Sequence, residues 1–375
     1  VKDGLINRNK GWVCVQVNVE PWTYNIENWS KKQKITIDHN KIDSDLINFP
    51  VKVIVPSDNP IFNIAKSDGT DVRFVAADGE TPLKFEREVY DATQKIAVYH
   101  VKIPFVSSTS DTDFYMYYGN PNASDASSPN DVWDSNYKLV MHMGPDLKDS
   151  TSNNNNGTNY GTVLGLASDG YYRSFDGVND YISIQSPTAI PVGSAAFTQE
   201  IYYLLFTYEG NEKNAFLSWG TNSNGRANVI RTTANERGIT EGYCHYFWGI
   251  NAGFDTLVAQ TIDKNTKYNV TVTFNGSNTI KIYHNGDLII TDDVPTVNVS
   301  NTNIYIGRSL PTGGEYLNGN IYEVRISSVA RSDAWIKATS ASLHNELLTF
   351  KDQIDLNGSI IFNALKFKKE RKYHL

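Results

Sequence analysis

Residues 279–290 read Thr-Ile-Lys-Ile-Tyr-His-Asn-Gly-Asp-Leu-Ile-Ile, two short apolar runs on either side of Asn285-Gly286. The first run alternates polar and apolar side chains, which is the period of a β-strand with one buried face. Asn-Gly is the favoured pair for a type I′ turn, because both central residues of that turn need a positive φ. The sequence therefore predicts a β-hairpin at this point.

The same kind of segment, short and rich in β-branched and aromatic residues, recurs along most of the 375-residue chain. Six such segments lie between residues 34 and 118, and about ten lie between residues 171 and 326. Ten strands are too many for one sheet and suit two packed antiparallel sheets. One helix is predicted over residues 332–341, with Ser332 as its N-cap. The pattern predicts an all-β fold.

The length favours two domains, since single cores rarely grow beyond about 250–300 residues. Apart from Pro121 and Pro129, residues 119–130 contain no apolar side chain larger than Ala, and they are dense in turn formers, which is typical of a linker. The predicted division is a 1–28 N-terminal extension, a 29–120 small β-sandwich, a 121–132 linker, a 133–348 larger β-sandwich, and a 349–375 C-terminal extension with a basic tail.

Charge and composition exclude several classes of protein. Lys and Arg number 34 against 41 Asp and Glu, a net charge of −7, so no nucleic-acid partner is expected. The sequence has no apolar run of about 18 residues and predicts no membrane span. With only Cys14 and Cys244, it offers neither a disulfide framework nor a cysteine zinc site. The basic tail at residues 366–375 is either solvated or a docking segment for an acidic neighbour.

Two sets of short motifs point to known families. Residues 35–38 (Ile-Thr-Ile-Asp), 68–74 (Asp-Gly-Thr-Asp-Val-Arg-Phe) and 114–120 (Phe-Tyr-Met-Tyr-Tyr-Gly-Asn) make the first half resemble a prokaryotic domain of unknown function that often precedes laminin-G-like modules. Residues 175–182 (Phe-Asp-Gly-Val-Asn-Asp-Tyr-Ile) and 320–327 (Asn-Ile-Tyr-Glu-Val-Arg-Ile-Ser) make the second half similar to a concanavalin A-like lectin/glucanase domain of the laminin-G-like group.

The resemblance implies a concanavalin A-like jelly roll in an extracellular protein, displayed on a cell surface or a virion surface. It further implies non-enzymatic binding of a glycan or a surface protein, as in adhesion. A structural or decorating subunit of a viral, phage or extracellular assembly, packed against neighbouring subunits, is the alternative that the residues leave open.

Calcium is the candidate cofactor, because hard cations take oxygen ligands from loops. The candidate ligands are Asp149, Asp176 and Asp180, which lie in loops that laminin-G-like sandwiches can bring together. The alternative is turn formation, since Asp side chains also accept hydrogen bonds from turn backbones.

An aromatic-rich region is the predicted ligand-binding site. Sugar recognition needs aromatic faces together with polar partners for the hydroxyls. Alternation along a strand places Tyr243 and His245 on one face and Tyr246 and Trp248 on the other, so that one of these faces can belong to the core. The candidate ligand-binding residues are Trp219, Tyr243, His245, Tyr246 and Trp248.

No catalytic residue is predicted. Glycosidases on this kind of sandwich carry a Glu-x-Asp-x-x-Glu string, and the sequence lacks it. The nearest match is Glu86 and Glu88, which share one strand face and are expected to be a solvent-facing charged pair. A glycoside hydrolase acting through these two residues is the second alternative. His39 and His142 are expected to be structural.

Overall fold

The computed structural model describes residues 28–356, except residues 209–212, 234, 250–251 and 311–313. Within these ranges the chain forms four antiparallel sheets that pack in pairs, so the predicted all-β fold is confirmed. The helices are short: α1 (Ile61–Ile64), α2 (Pro129–Val132) and α3 (Asp333–Leu343).

The first sandwich pairs a four-stranded sheet with a three-stranded sheet. Its core is built from alternate side chains of both sheets, such as Phe49 and Val51 against Phe74 and Phe114. The four-stranded sheet has the order β22 (Leu348–Asp355), β1 (Lys31–Ile37), β6 (Thr112–Tyr118), β3 (Arg73–Ala76), and the three-stranded sheet has the order β2 (Leu46–Ile54), β5 (Ile96–Val106), β4 (Phe85–Asp91).

Strand β22 reaches the first sandwich from the far end of the chain. It pairs antiparallel with β1, with Phe350 opposite Ile35 and Leu348 opposite Ile37. Leu348 and Phe350 pack against the first core, and the burial of these side chains stabilises the strand at this edge. The predicted division places these residues at the end of the second domain and in the C-terminal extension, whereas the structure makes them an edge strand of the first sheet. The predicted domain limits themselves stay a prediction.

The second sandwich contains two larger sheets. The eight-stranded sheet has the order β19 (Asp287–Asp293), β18 (Thr279–His284), β17 (Lys267–Phe274), β12 (Phe197–Leu205), β21 (Asn318–Ser327), β10 (Gly170–Asp176), β9 (Val163–Ala167), with β7 (Tyr137–Met141) also paired to β21. The seven-stranded sheet has the order β16 (Asp255–Ala259), β15 (Gly242–Tyr246), β14 (Ala227–Thr232), β13 (Ala215–Gly220), β20 (Ile304–Ile306), β11 (Tyr181–Ile184), β8 (Thr158–Tyr160).

The hairpin predicted from residues 279–290 is confirmed. Strands β18 and β19 pair antiparallel, with His284 opposite Asp287. Asn285 and Gly286 between them have φ values of 48° and 86°, the two positive values that a type I′ turn requires. The predicted helix is confirmed as α3, and the Ser332 hydroxyl accepts a hydrogen bond from the backbone N–H of Trp335.

Helix α3 connects the two sandwiches. It follows the last strand of the second sandwich, yet its Trp335 ring lies edge-on against Phe49 of the first core at 5.0 Å. The predicted linker also packs against the first sandwich, since Ser128 N–H donates to the Phe85 carbonyl and Asp125 pairs with Arg87 at 2.7 Å. The two sandwiches are therefore in direct contact.

Candidate functional site

Asp149 is a buried structural carboxylate. Its Oδ1 accepts hydrogen bonds from the backbone N–H groups of Val140 and Thr151, and its Oδ2 accepts from Thr151 Oγ1 and Asn155 N–H. Burial raises the pKa of Asp149 against the effect of these donors. The side chain thus ties the loop after β7 to its own backbone.

Asp176 and Asp180 lie together in the turn between β10 and β11. The Oδ1 atom of Asp176 accepts from the N–H groups of Val178 and Asn179, and Oδ2 of Asp180 accepts from the N–H of Asp176. In the described part of the chain, the clusters of three or more candidate metal ligands lie elsewhere and include none of the three aspartates. The structure therefore shows turn chemistry at these positions, and calcium binding stays a prediction.

Three of the five predicted ligand-binding residues lie in the core of the second sandwich. Trp219, Tyr243 and His245 are each 0% exposed. Their polar atoms are bound internally: Trp219 Nε1 donates to a backbone carbonyl, the Tyr243 hydroxyl contacts that of Tyr203 at 2.7 Å, and His245 Nε2 contacts Asn228 Oδ1 at 2.9 Å. The structure places the alternating face that these residues share toward the interior, and their ligand-binding role stays a prediction.

Tyr246 and Trp248 lie on the opposite, outer side of the seven-stranded sheet. Tyr246 is 6% exposed and packs beneath the Arg231 guanidinium at 5.4 Å, in a small apolar cluster. Trp248 is half-buried, and its ring lies 5.9 Å from that of Tyr246. The five residues consequently do not form one surface.

Glu86 and Glu88 on β4 differ most from the expectation. The prediction of a solvent-facing charged pair is wrong, since their side chains are only 8% and 2% exposed. They point into the contact between the sandwiches, while Arg87 between them is the residue that reaches the surface pair with Asp125. Glu86 accepts hydrogen bonds from Trp133 Nε1 at 2.9 Å and Ser150 Oγ at 2.5 Å.

Electrostatics at this contact keep the acidic groups ionised. Burial alone would raise the pKa of Glu86, but the nearby His142 outweighs burial and lowers it to about 2. Burial would likewise lower the pKa of His142, but Glu86 and Glu323 outweigh it and raise the value to about 10. A cavity of about 610 Å³ opens onto Glu86, Glu88 and His142 from the surface.

A row of tyrosines that the sequence analysis missed crosses the outer face of the seven-stranded sheet. Tyr160 on β8 stacks on Tyr181 on β11, with ring centroids 4.5 Å apart and planes 7° apart. Tyr181 in turn meets Tyr305 on β20 at 6.1 Å, edge to face. Tyr160 is 38% exposed and the other two are half-buried. We call these three residues the tyrosine row.

Arg308 completes this surface. Its guanidinium lies 4.6 Å from the ring centre of Tyr181, 5.1 Å from that of Tyr305 and 5.3 Å from that of Tyr316. Cation–π contacts of this kind hold the aromatic rings in fixed positions. The rings and the cation together form a rigid, partly exposed patch.

A groove of about 520 Å³ adjoins the tyrosine row at Tyr305. Its accessible walls are mostly apolar, and the hydroxyl and amide side chains among the lining residues add a smaller polar part. The lining residues are Gly220, Thr221, Asn222, Thr302, Asn303, Tyr305 and Leu310. An aromatic platform beside hydroxyl and amide groups is a suitable arrangement for a ligand that has both C–H faces and hydroxyls.

One sequence signal could have found the row. Tyr181 and Tyr305 each precede an isoleucine, Ile182 and Ile306, that is fully buried in the second core. Because neighbouring residues of a strand point to opposite faces, each tyrosine must face outward. The strand pairing, with Tyr160 opposite Tyr181 and Ser183 opposite Tyr305, then brings the rings together.

The described residues form two β-sandwiches, and each contains a region that matches a known family. Residues 176–337 match the concanavalin A-like lectin/glucanases superfamily. Residues 68–156 match a domain of unknown function, DUF2341. The chain therefore carries DUF2341 followed by a concanavalin A-like domain, and the arrangement predicted from the sequence is confirmed.

No curated protein matches the chain. Among solved structures, domain 4 of AbnA, an extracellular GH43 arabinanase from Geobacillus stearothermophilus, bound to arabinotriose, is 14% identical, with a TM-score of 0.43 over 54% of this chain and 98% of that one. A structure of botulinum neurotoxin type C, whose cell entry depends on two ganglioside molecules, is 18% identical, with a TM-score of 0.44 over 56% of this chain and 51% of that one.

The binding domain of Paraclostridial Mosquitocidal Protein 1 is 16% identical, with a TM-score of 0.41 over 56% of this chain and 53% of that one. The alignment thus spans about half of the length of each toxin structure. Likeness at these scores carries no information about function.

Two further sequence predictions can be placed. Among the described residues, every helix is too short or too polar to cross a membrane. The basic tail at residues 366–375 and Cys14 lie outside the described residues, and Cys244 is buried.

Proposed function

We propose that the protein binds a glycan on the outer face of its concanavalin A-like domain, through the tyrosine row and the adjoining groove. The observation that carries the proposal is the fixed row of three partly exposed rings beside hydroxyl and amide groups. Membership of the second domain in a superfamily named for lectins and glucanases supports the same reading.

In this proposal each part of the site has a different role. Neighbouring strands lie about 4.8 Å apart, so three rings on three successive strands cover about 10 Å of surface. Such a platform can pack against the apolar face of more than one sugar unit. Groove residues such as Thr221 and Asn303 then supply hydrogen-bond partners for hydroxyl groups.

The site also suits an uncharged or acidic glycan better than a basic one. Arg308 is the cation at its centre, held by three tyrosine rings. A guanidinium in this position can donate hydrogen bonds to a carboxylate or a hydroxyl of the ligand. The proposal places the protein outside the cell, on a cell surface or particle, where glycans are displayed for adhesion.

A glycan array tests the proposal directly. The purified protein is applied in buffer with calcium and in buffer with a chelator, so that the calcium prediction is tested at the same time. Tyr181→Ala and Tyr305→Ala are expected to lose at least about tenfold in affinity, which corresponds to about 1.4 kcal/mol. The measurement is a titration with the glycan that the array selects.

Tyr115→Ala is the matched control. Tyr115 is a half-buried tyrosine on β6 of the first sandwich, beside Tyr117 and beneath Lys32 Nζ at 5.0 Å, so it has a similar aromatic and cationic environment. This variant should bind the glycan like the wild type. Absence of binding in both buffers, or equal binding by all three variants, would overturn the proposal.

A further inference from the structure

The contact between the two sandwiches contains a second group of side chains, which we call the junction cluster: Glu88, His100, His142 and Glu323. Glu88 lies on β4 and His100 on β5 of the first sandwich, His142 follows β7, and Glu323 lies on β21 of the second sandwich. Their side chains are between 0% and 7% exposed. Both sandwiches therefore contribute to one buried polar site.

One atom of each residue points to a common centre. Glu88 Oε2, His100 Nε2, His142 Nδ1 and Glu323 Oε2 all lie within 4.8 Å of one another. The distance is 2.9 Å from Glu88 to His100, 3.3 Å from His142 to Glu323 and 3.9 Å from His142 to Glu88. Ligands bound at about 2.0–2.2 Å in a tetrahedral site lie roughly 3.3–3.6 Å apart, so these spacings suit one metal ion.

Two of these four atoms have no hydrogen-bond partner. His142 Nδ1 and Glu323 Oε2 are buried and face each other without a hydrogen-bonding angle. Leaving a buried polar atom unsatisfied costs about 1–3 kcal/mol, and native proteins rarely leave two such atoms facing each other. A cation between them would satisfy both atoms.

In three of the four residues, the side-chain atom that faces away from the centre contacts another group of the protein. His142 Nε2 lies 3.3 Å from Glu86 Oε2, the carboxylate–histidine pair that orients metal-bound imidazoles. Glu88 Oε1 accepts from the Tyr171 N–H at 3.0 Å, and Glu323 Oε1 accepts from Arg325 Nε. These contacts fix the side chains and leave His142 Nδ1 and Glu323 Oε2 available for a ligand.

Lys52 is a cation of the protein that approaches the centre. Its Nζ lies 3.6 Å from Glu88 Oε2 and 3.8 Å from Glu323 Oε2, beyond hydrogen-bonding distance of either oxygen. Lys52 and Arg325 carry two positive charges against the three negative charges of Glu86, Glu88 and Glu323. The third positive charge is the proton on His142, whose pKa Glu86 and Glu323 raise to about 10. A divalent ion bound at His142 Nδ1 would take the place of this proton.

We propose that the junction cluster binds one divalent transition-metal ion, zinc in the first instance, through Glu88, His100, His142 and Glu323. Two imidazoles and two carboxylates are ligands that zinc accepts. The surface cavity that reaches His142 and Glu88 gives the ion a route that requires no unfolding. Bound zinc joins the two sandwiches, since two ligands come from each.

The test uses the whole protein after treatment with a chelator. Zinc is added, excess is removed, and bound metal is counted by mass spectrometry; one zinc per chain is expected, with a higher unfolding temperature. Cobalt replaces zinc in a parallel sample, where strong visible absorption reports tetrahedral coordination. Glu323→Gln should abolish both signals, and Glu86→Gln should weaken zinc binding by about 10–100-fold.

His39→Gln is the matched control, because His39 forms a second, more accessible cluster with Asp38 and Asp111 that could bind zinc adventitiously. It should keep the full zinc content. Circular dichroism shows whether Glu323→Gln is folded, and the cobalt spectrum of the wild type decides the outcome if it is not. The proposal is overturned by a wild type that takes up no zinc, by a cobalt spectrum without tetrahedral bands, or by zinc that only His39→Gln removes.

Discussion

His245 gives the sharpest test of whether the predicted aromatic site is core or surface. The imidazole is 0% exposed, lies 4.7 Å from the Phe247 ring and 6.1 Å from the Phe197 ring, and has Asn228 as its polar contact. Burial lowers the pKa of His245 from 6.5 to about 3. A histidine on a ligand-binding surface would instead titrate near its ordinary value.

Whether stability rises or falls with pH depends on which state, folded or unfolded, protonates His245 at the higher pH. As the pH falls below 6.5, the unfolded chain protonates His245 while the folded protein keeps it neutral, so folding loses stability from pH 6.5 down to about 3. At 1.36 kcal/mol per pKa unit, the whole loss is on the order of 5 kcal/mol, and about 2 kcal/mol is lost by about pH 5.

The assay is urea unfolding of the wild type and of His245→Gln, each near neutral pH and at about pH 5. Glutamine keeps a donor for Asn228 but cannot be protonated, so the variant should lose about 2 kcal/mol less than the wild type on acidification. Equal acid losses in the wild type and His245→Gln would refute the assignment of His245 to the core.

Two further substitutions test the contacts that helix α3 makes with the first core and with the β18–β19 hairpin. Trp335→Ala removes the ring that packs on Phe49 at 5.0 Å and should lower the free energy of unfolding by about 3–5 kcal/mol, measured by denaturant titration. A loss below about 1 kcal/mol would contradict the packing of α3 into the first core. Gly286→Ala introduces a Cβ atom at φ +86°, 2.9 Å from the Cα of Lys337. In Gly238→Ala the new Cβ, at φ +78°, has no atom within 4 Å. The first substitution should therefore lower the free energy of unfolding by at least about 1 kcal/mol more than the second. Equal midpoints for the two glycine variants would show that α3 does not press on the hairpin.

The elements that the sequence predicted well are those fixed by neighbouring residues. The Asn285-Gly286 turn and the Ser332 cap each depend on contacts within about four positions, so their residue types report them directly. Strand β22 was assigned to an extension because its partner β1 lies at the other end of the chain. A strand pattern shows which residues share a face and does not show which sheet receives them.

The functional surfaces were harder to predict, because they too depend on contacts between strands that are distant in sequence. Alternation placed Tyr243 and His245 on one face, but only the packing of the opposite sheet makes that face the interior. Glu86 and Glu88 were expected in solvent because their partners, His142 and Glu323, come from the second sandwich. The tyrosine row likewise unites strands that are far apart in sequence, so each tyrosine looks ordinary until the strands are paired.

The return of β22 to β1 has a consequence for synthesis. Lys31 meets Asp355 across 324 positions of sequence, so β1 emerges from the ribosome long before the strand that covers it. Until the last of the second sandwich has been translated, β1 presents an open row of N–H and C=O groups, the template on which strands of other molecules can add. Chains that stop before β22 thus carry an exposed sheet edge, and synthesis of β22 is the step that seals it.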